Sequence, residues 1–185
     1  MPNFTRKAIK ESFMKLLNER PLSQITIKDI VEDCGINRNS FYYHFEDLPA
    51  LIEEIVTEEA DRIIQEYPSI DSVETCLDVA IQFAQDNKRA VLHIYNSVNR
   101  DIYEGHLLKV CQYVISTYIN TIFADQPIRE SDKNIIIRFY KCECFGQIVD
   151  WMNDGMKDDI REQFHRLCEL RKGMAEEFLR RSMES

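Results

Sequence analysis

The chain has 185 residues, of which 44% are hydrophobic and 30% charged, with a formal net charge of −9. This length suits one or two domains with a buried core, and without a run of about 18 apolar residues or an apolar leader we expect no membrane span and no signal peptide. Six cysteines that lack the spacing of a small secreted scaffold predict reduced thiols and a cytoplasmic protein.

Few helix breakers interrupt the chain, which has only five Gly and five Pro. This composition predicts long helices and an all-α fold. A first helix is predicted from 5 to 20, where Pro21 stops it.

Residues 25–45, ITIKDIVEDCGINRNSFYYHF, have the pattern of two short helices around a glycine turn. Thr26 and Asp29 are spaced as a helix cap, Gly35 suits a left-handed residue that ends this helix, and Asn37 suits the cap of the next one. One apolar face of the first helix is formed by Ile27, Ile30, Val31 and Cys34. The pattern predicts a helix-turn-helix.

The second of these helices, over residues 38–44, is predicted to bury one face and to present the other to DNA. Phe41 and Phe45 are four residues apart and point inward together. The remaining side chains carry groups that bind base edges or phosphates in a major groove: Arg38, Asn39, Ser40, Tyr42, Tyr43 and His44. The alternative is an ordinary surface helix whose Tyr and His side chains half-bury against neighbours.

The run GINRNSFYYHFEDLPALIEEI, residues 35–55, resembles the end of the DNA-binding domain of tetracycline-repressor-type (TetR family) transcriptional regulators. The resemblance covers about residues 5–55 and implies a homodimer of about nine helices per chain, with a three-helix head over residues 1–47 and a helical effector-binding and dimerisation body over residues 48–185. No cofactor is expected. The resemblance also implies a phosphate contact at Thr26, with Lys28 on the same helix, and groove contacts from the six residues of the second helix. These regulators usually place a Lys where this chain has Leu48, so one phosphate contact is absent.

The charge is unevenly distributed. Residues 1–50 hold seven Lys/Arg and seven Asp/Glu, so residues 51–185 carry the whole −9. An acidic body repels DNA and orients the neutral head toward it. Arg6, Lys7 and Lys10 either line the DNA backbone or are plain solvated charges. A head without net positive charge predicts that binding depends on dimerisation.

Further helices are predicted at residues 47–67, from 72 or 75 to 87, and at 89–97, 103–123, 131–152 and 158–181. The helix at 131–152 is apolar around nearly its full circumference and must therefore be covered on all sides. We expect it and the last helix to form a four-helix dimer interface through Phe145, Ile148, Val149, Met152, Phe164, Leu167 and Phe178. The alternative is a fully internal helix in a monomer.

An aromatic effector pocket is predicted in the body for a small, partly hydrophobic molecule. Its candidate lining residues are Tyr67, Phe83, His93, Tyr95, Tyr103, His106, Tyr113 and Phe139. The alternative is that these aromatic residues are simple core.

No metal or catalytic site is predicted. Cys142 and Cys144 lie two residues apart, which on a helix makes a poor chelate, and no catalytic or phosphate-loop motif occurs.

Three hypotheses remain. The first is a repressor that binds a palindromic operator in double-stranded DNA and responds to an effector. The second is a coregulator that binds a partner protein, because FYYHFED and the Trp near the end of the penultimate helix resemble regulators of dihydroxyacetone-kinase operons. The third is a helical metabolite-binding or enzymatic protein.

Overall fold

The computed structural model describes residues 2–66, 78, 81–82 and 84–184. Those residues form helices and no strand, which confirms the all-α prediction. The α-helices are α1 (Pro2–Glu19), α2 (Ile27–Asp33), α3 (Arg38–His44), α4 (Leu48–Glu66), α5 (Lys88–Tyr95), α6 (Arg100–Ile122), α7 (Glu130–Asn153), α8 (Ile160–Leu170) and α9 (Met174–Glu184). A short 3-10 helix at Leu22–Gln24, which sequence reasoning missed, follows Pro21.

The described residues form two compact units. The first contains the residues up to 60 together with 84–106, and the second contains the rest. The core of the first unit joins buried side chains of α1 to α4 with Ala90 and Ile94 of α5, both of which are buried. The unit is therefore larger than the head predicted at residues 1–47, because α5 packs on α1 and completes its core.

The start of α4 agrees with the sequence pattern. The backbone N–H of Ala50 donates to Asp47 Oδ1 at 2.8 Å, so Asp47 is the cap expected there. Leu48, at the position where the family usually has a Lys, is half-buried against the core of the first unit. The predicted end of this helix at Tyr67 and the predicted start of the next at Ser72 or Thr75 lie outside the described residues.

The last predicted helix, at 158–181, is wrong as a single element, because the chain breaks into α8 and α9. Gly173 has φ +88°, a left-handed conformation that a helix interior does not allow. The N–H of Arg171 donates to the carbonyls of Leu167 and Cys168 as α8 closes. Gly173 was the available sequence signal for this break.

One face of α7 is exposed in the single chain, so the alternative of a fully internal helix does not hold, and cover of that face by a second copy stays a prediction. Trp151 and Met152 are buried on the inner side, whereas Ile135 is 67% and Phe139 is 58% exposed. Cys142 and Gly146 are also exposed at the helical spacing that continues this row. We call Ile135, Phe139, Cys142 and Gly146 the exposed stripe of α7.

A search of the described helices for an apolar stretch able to cross a bilayer finds none.

Candidate nucleic-acid interface

Two helices of seven residues each, α2 and α3, build the site around a tight turn. At the start of α2 the backbone N–H of Thr26 donates to Asp29 Oδ2 at 2.8 Å, and the N–H of Asp29 donates to Thr26 Oγ1 at 3.3 Å. The Thr26 hydroxyl also donates to Asp29 Oδ2 at 2.6 Å. These hydrogen bonds, with the Arg20 charge nearby, lower the pKa of Asp29. The predicted cap is therefore a reciprocal capping box.

The turn between the helices has the geometry that the sequence predicted. Gly35 has φ +68°, which places it in the left-handed region. Asn37 then caps α3, since its Oδ1 accepts from the Ser40 backbone N–H at 2.8 Å and from the Ser40 hydroxyl at 3.1 Å. Together, the Thr26 cap of α2 and the Asn37 cap of α3 fix the angle of α3 within the unit.

Buried aromatic rings support α3 from below. Phe41 is fully buried and Phe45 is 3% exposed, and their ring centroids lie 5.8 Å apart. The guanidinium carbon of Arg6 sits 5.6 Å from the centre of the Phe45 ring and ties α1 to this support. The core therefore holds α3 by one face only.

The outer face of α3 consists of Arg38, Asn39, Tyr42 and Tyr43, all exposed. Tyr43 is 78% exposed and Tyr42 is 50% exposed. The other two predicted contacts, Ser40 and His44, are half-buried at the edge of this face. A hydroxyl, an amide and a guanidinium thus lie side by side on one helix with nothing from the described residues covering them.

Most cations of the N-terminal unit are already paired. Of the seven Lys and Arg side chains in residues 1–50, Arg38 alone makes no ion pair with any described residue. The others pair as follows: Arg6 with Glu54, Lys7 with Glu11, Lys10 with Glu54 and Glu58, Lys15 with Asp33, Arg20 with Asp29, and Lys28 with Glu32. Sequence reasoning missed the α1–α4 pairs because their partners lie more than 40 residues apart in the chain.

Two residues predicted to contact DNA, Thr26 and Lys28, interact with acidic side chains of the protein itself. Thr26 directs both of its donors, the backbone N–H and the hydroxyl, at Asp29. Lys28 is 73% exposed and lies 3.7 Å from Glu32, a separation that leaves its ammonium free to turn outward. The structure therefore shows a capping role for Thr26, and its phosphate contact stays a prediction.

The predicted dimer residues fall into two groups. Ile148, Met152 and Phe164 are 7%, 1% and 6% exposed in the single chain, so they belong to its internal core and leave a partner almost no surface. Their role at a dimer interface stays a prediction, and their burial in the single chain gives it no support. The half-buried members, Phe145, Val149, Leu167 and Phe178, keep surface that a partner can cover.

The predicted effector pocket stays a prediction, since its described residues divide between the two units. Its residues His93, Tyr95, Tyr103 and His106 belong to the first unit, and Tyr113 and Phe139 to the second; Tyr67 and Phe83 lie outside the described residues.

Three of these side chains are buried or make contacts within the first unit instead. Tyr95 is fully buried, His93 Nδ1 donates to the Leu17 carbonyl at 2.7 Å, and His106 Nε2 lies 3.3 Å from the Thr57 hydroxyl. Phe139 is exposed on the stripe of α7. The alternative of simple core therefore fits His93, Tyr95 and Tyr103, which packs against the core of the first unit.

The second unit contains a cavity of about 930 Å³ between the C-terminal half of α6, Tyr140 of α7, and α8 and α9. None of the predicted effector residues that the structure describes lines it, whereas Phe178, predicted for the dimer interface, does. Sequence reasoning missed this cavity because only the turn at Gly173 brings α9 back over α6 and α7.

Two family models match the chain. The model described as "Bacterial regulatory proteins, tetR family" matches residues 12–55, and the model described as "Transcriptional regulator C-terminal region" matches residues 71–173. The second match alone covers more than half of the chain.

Among curated proteins, the HTH-type transcriptional regulator YxbF of Bacillus subtilis (strain 168) is 34% identical over 56 residues. That alignment covers 30% of this chain and spans only 15% of the length of YxbF.

Two solved structures share the fold. The dihydroxyacetone kinase operon activator DhaS aligns with a TM-score of 0.78 at 16% identity, covering 93% of this chain and 96% of DhaS. Salmonella enterica GusR aligns with a TM-score of 0.60 at 17% identity, covering 88% of this chain and 92% of GusR.

Proposed function

Since this chain belongs to the TetR family of transcriptional regulators, we propose that it binds a palindromic operator as a homodimer and represses transcription until a small effector releases it. The observation that carries the proposal is the outer face of α3, where Arg38, Asn39, Tyr42 and Tyr43 are exposed above a buried Phe41. Polar and aromatic side chains left uncovered on a short, well-supported helix are the groups that read a major groove.

The order of residues along α3 assigns roles in the groove. Arg38 is in the first turn, nearest the base edges, and its unpaired guanidinium suits the two acceptors of a guanine. Asn39 beside it suits an adenine edge or a phosphate. The hydroxyls of Tyr42 and Tyr43, a little more than one turn further, suit phosphates on the flanking strands, where they fix the position of the helix.

Dimerisation is supported by the exposed stripe of α7. Ile135 and Phe139 present large apolar surfaces to solvent on a helix of 24 residues, about 36 Å long. A second copy that meets the same stripe around a two-fold axis covers both, and Gly146 permits close approach of the helices. Two heads on one duplex then gain from effective concentration, which the neutral head needs.

The proposed operator binding by α3 is tested with Tyr42→Ala and Tyr43→Ala. Genomic fragments retained by the intact protein are sequenced to find the operator, and each variant is titrated against it. We expect each variant to lose about 1–3 kcal/mol of binding free energy while its dimer and its melting temperature stay unchanged. Val98→Ala removes an apolar side chain that is 95% exposed in the same unit and serves as the matched control. Unchanged operator affinity in both tyrosine variants would overturn the proposal.

The dimer is tested separately with Phe139→Glu. A carboxylate in the middle of an apolar interface costs several kcal/mol. We therefore expect a monomer by sedimentation and at least about tenfold weaker operator binding. Lys141→Glu, on the same helix outside the stripe, controls for the added charge. A Phe139→Glu protein that remains dimeric contradicts this interface.

A second candidate function is favoured by the paired cations of the first unit. With Arg6, Lys10, Lys15 and Arg20 held by carboxylates, a head contacts few phosphates, and a protein partner then supplies the missing affinity. Salt titration separates the candidates, since each phosphate neutralised adds about −0.9 to the slope of log affinity against log salt. A steep slope for the protein alone supports the repressor. A flat slope with retained capture of one protein partner supports the coregulator.

A further inference from the structure

The cavity of the second unit is of ligand size. Its volume of about 930 Å³ lies at the upper end of the roughly 300–1,000 Å³ usual for small-molecule sites. Every lining residue belongs to one compact unit, on α6, α7, α8, α9 and the turn before α9.

Apolar and aromatic side chains form the floor and walls. Ile115 and Ile119 of α6, and Phe123 directly after it, are 6%, 3% and 4% exposed and make the floor. Above them the rings of Tyr140 and Phe178 meet edge to face with centroids 6.2 Å apart. Flat ring faces at this spacing favour a ligand that is itself flat and apolar.

The charges around the cavity cancel one another. Arg171 lies over the Tyr140 ring, 4.8 Å from its centre, and is committed to Glu143 at 2.6 Å. Glu169 is paired with Arg166 at 2.7 Å. Because Arg171 and Glu169 are each paired with another side chain, neither charge is available to pair with a ligand.

The two remaining lining charges, Lys172 and Glu176, have opposite signs and no ion pair among the described residues. His165 lies 3.9 Å from Asp78. Because no charge of one sign remains in excess, the cavity gives an ionised ligand nothing to offset the cost of leaving water.

We propose that this cavity binds a small, uncharged, largely apolar molecule with a flat ring body. The role of the cavity as the effector site of the regulator rests on the function proposed above. Its capacity to bind a small molecule does not depend on that function. The site adjoins the exposed stripe of α7, since Tyr140 lines the cavity and its ring lies 5.3 Å from that of Phe139. A ligand that prefers one position of Tyr140 therefore biases the surface that we propose for the dimer.

The binding test uses N-phenylnaphthylamine, a neutral fluorescent probe, and anilinonaphthalene sulfonate, which adds one negative charge to a similar ring system. Both are titrated into the full chain without DNA. We expect saturable fluorescence enhancement with the neutral probe at one molecule per chain, and at least about tenfold weaker binding of the sulfonate. No saturable neutral binding, or tighter sulfonate binding, overturns the proposal.

The site is located with Ala175→Trp, which fills the cavity from α9, and Met174→Trp, which narrows its rim. Met183→Trp places the same ring on the same helix at a position that is 62% exposed and outside the cavity. A wild-type far-UV spectrum is the criterion of folding. We expect about tenfold weaker neutral-probe binding in Ala175→Trp, or in Met174→Trp if Ala175→Trp does not fold, and unchanged binding in Met183→Trp. Wild-type affinity in a folded Ala175→Trp, or in a folded Met174→Trp if Ala175→Trp does not fold, overturns the assignment.

The two proposals fail separately. If operator binding is confirmed while the neutral probe does not bind, only the cavity assignment falls. If the probe binds at the cavity while no operator is found, the binding site stands and the regulatory proposal falls. If both hold and a saturating probe leaves operator affinity unchanged within about twofold, the cavity binds ligand without acting as the effector site.

Discussion

The ring of Phe41 lies 5.8 Å from the ring of Phe45, and both are buried beneath the outer face of α3. This pair separates support from recognition within one helix of seven residues. Substitutions below the helix change stability, whereas substitutions above it change only what the helix binds.

Phe41→Ala is expected to lower the free energy of unfolding by about 3–5 kcal/mol, because it leaves a cavity in the core of the first unit. Tyr43→Ala, two residues away and 78% exposed, is expected to change it by less than about 0.5 kcal/mol. Urea denaturation monitored by circular dichroism measures both. Equal losses in the two variants would contradict the division of α3 into a buried and a free face.

Glu54→Gln is expected to strengthen binding to DNA in general. Burial opposes ionisation of Glu54, yet its hydrogen bonds from Arg6 and Lys10 hold its pKa below the usual value. The amide releases Arg6, whereas Lys10 keeps its pair with Glu58 at 2.6 Å, so the slope of log affinity against log salt becomes steeper by up to about 0.9 when Arg6 reaches a phosphate. Affinity for a random duplex over a series of salt concentrations gives this slope.

Glu53→Gln is the matched control for that variant, since it removes the same charge from an exposed neighbour that has no ion pair among the described residues. A slope that changes equally in both variants reflects net charge alone and counts against release of Arg6.

Thr26→Ala is expected to cost about 1 kcal/mol of stability, because it removes the hydroxyl that accepts from the Asp29 N–H. Thr26→Ser keeps the hydroxyl and is expected to keep most of that stability. Because the folded protein lowers the pKa of Asp29, the contribution is present above the ordinary pKa of an Asp and is lost as the pH falls through the lowered value. Melting temperatures between about pH 5 and pH 2 compare the variants, and an identical acid response in Thr26→Ala would argue against the capping box.

The cysteines of α6 and α7 are expected to differ in reactivity. Cys111 and Cys144 are buried with their sulfurs 3.8 Å apart, and their hydrogen bond together with burial raises the pKa of Cys144 well above its usual value. Cys142 is exposed. Brief alkylation of the monomeric Phe139→Glu variant, in which no second copy covers Cys142, followed by peptide mass spectrometry, should therefore label Cys142 well before the buried pair.

The raised pKa of Cys144 also lowers the stability of the folded protein at alkaline pH. The unfolded chain releases the Cys144 proton near pH 8.5 while the folded chain retains it, so a rising pH favours unfolding. Cys144→Ala removes this dependence and is expected to flatten the decline of the melting temperature above that pH. An equal decline in Cys144→Ala would show that other groups cause it.

Local sequence determined the recognition motif. The caps at Thr26 and Asn37, the left-handed Gly35 and the inward pair Phe41 and Phe45 are interactions within four residues, so the spacing of side chains along a helix specifies them. The outward placement of Arg38, Tyr42 and Tyr43 follows from the same spacing once the inward pair is fixed.

Tertiary structure decided what distant residues do to one another. The pairing of Arg6 and Lys10 with Glu54, the role of α5 in the core of the first unit and the sides of α7 that are covered all depend on contacts across many residues. The cavity depends on the return of the chain at Gly173. Periodicity indicates that a helix has an apolar side, but only packing decides whether that side meets its own chain, a second copy or a ligand.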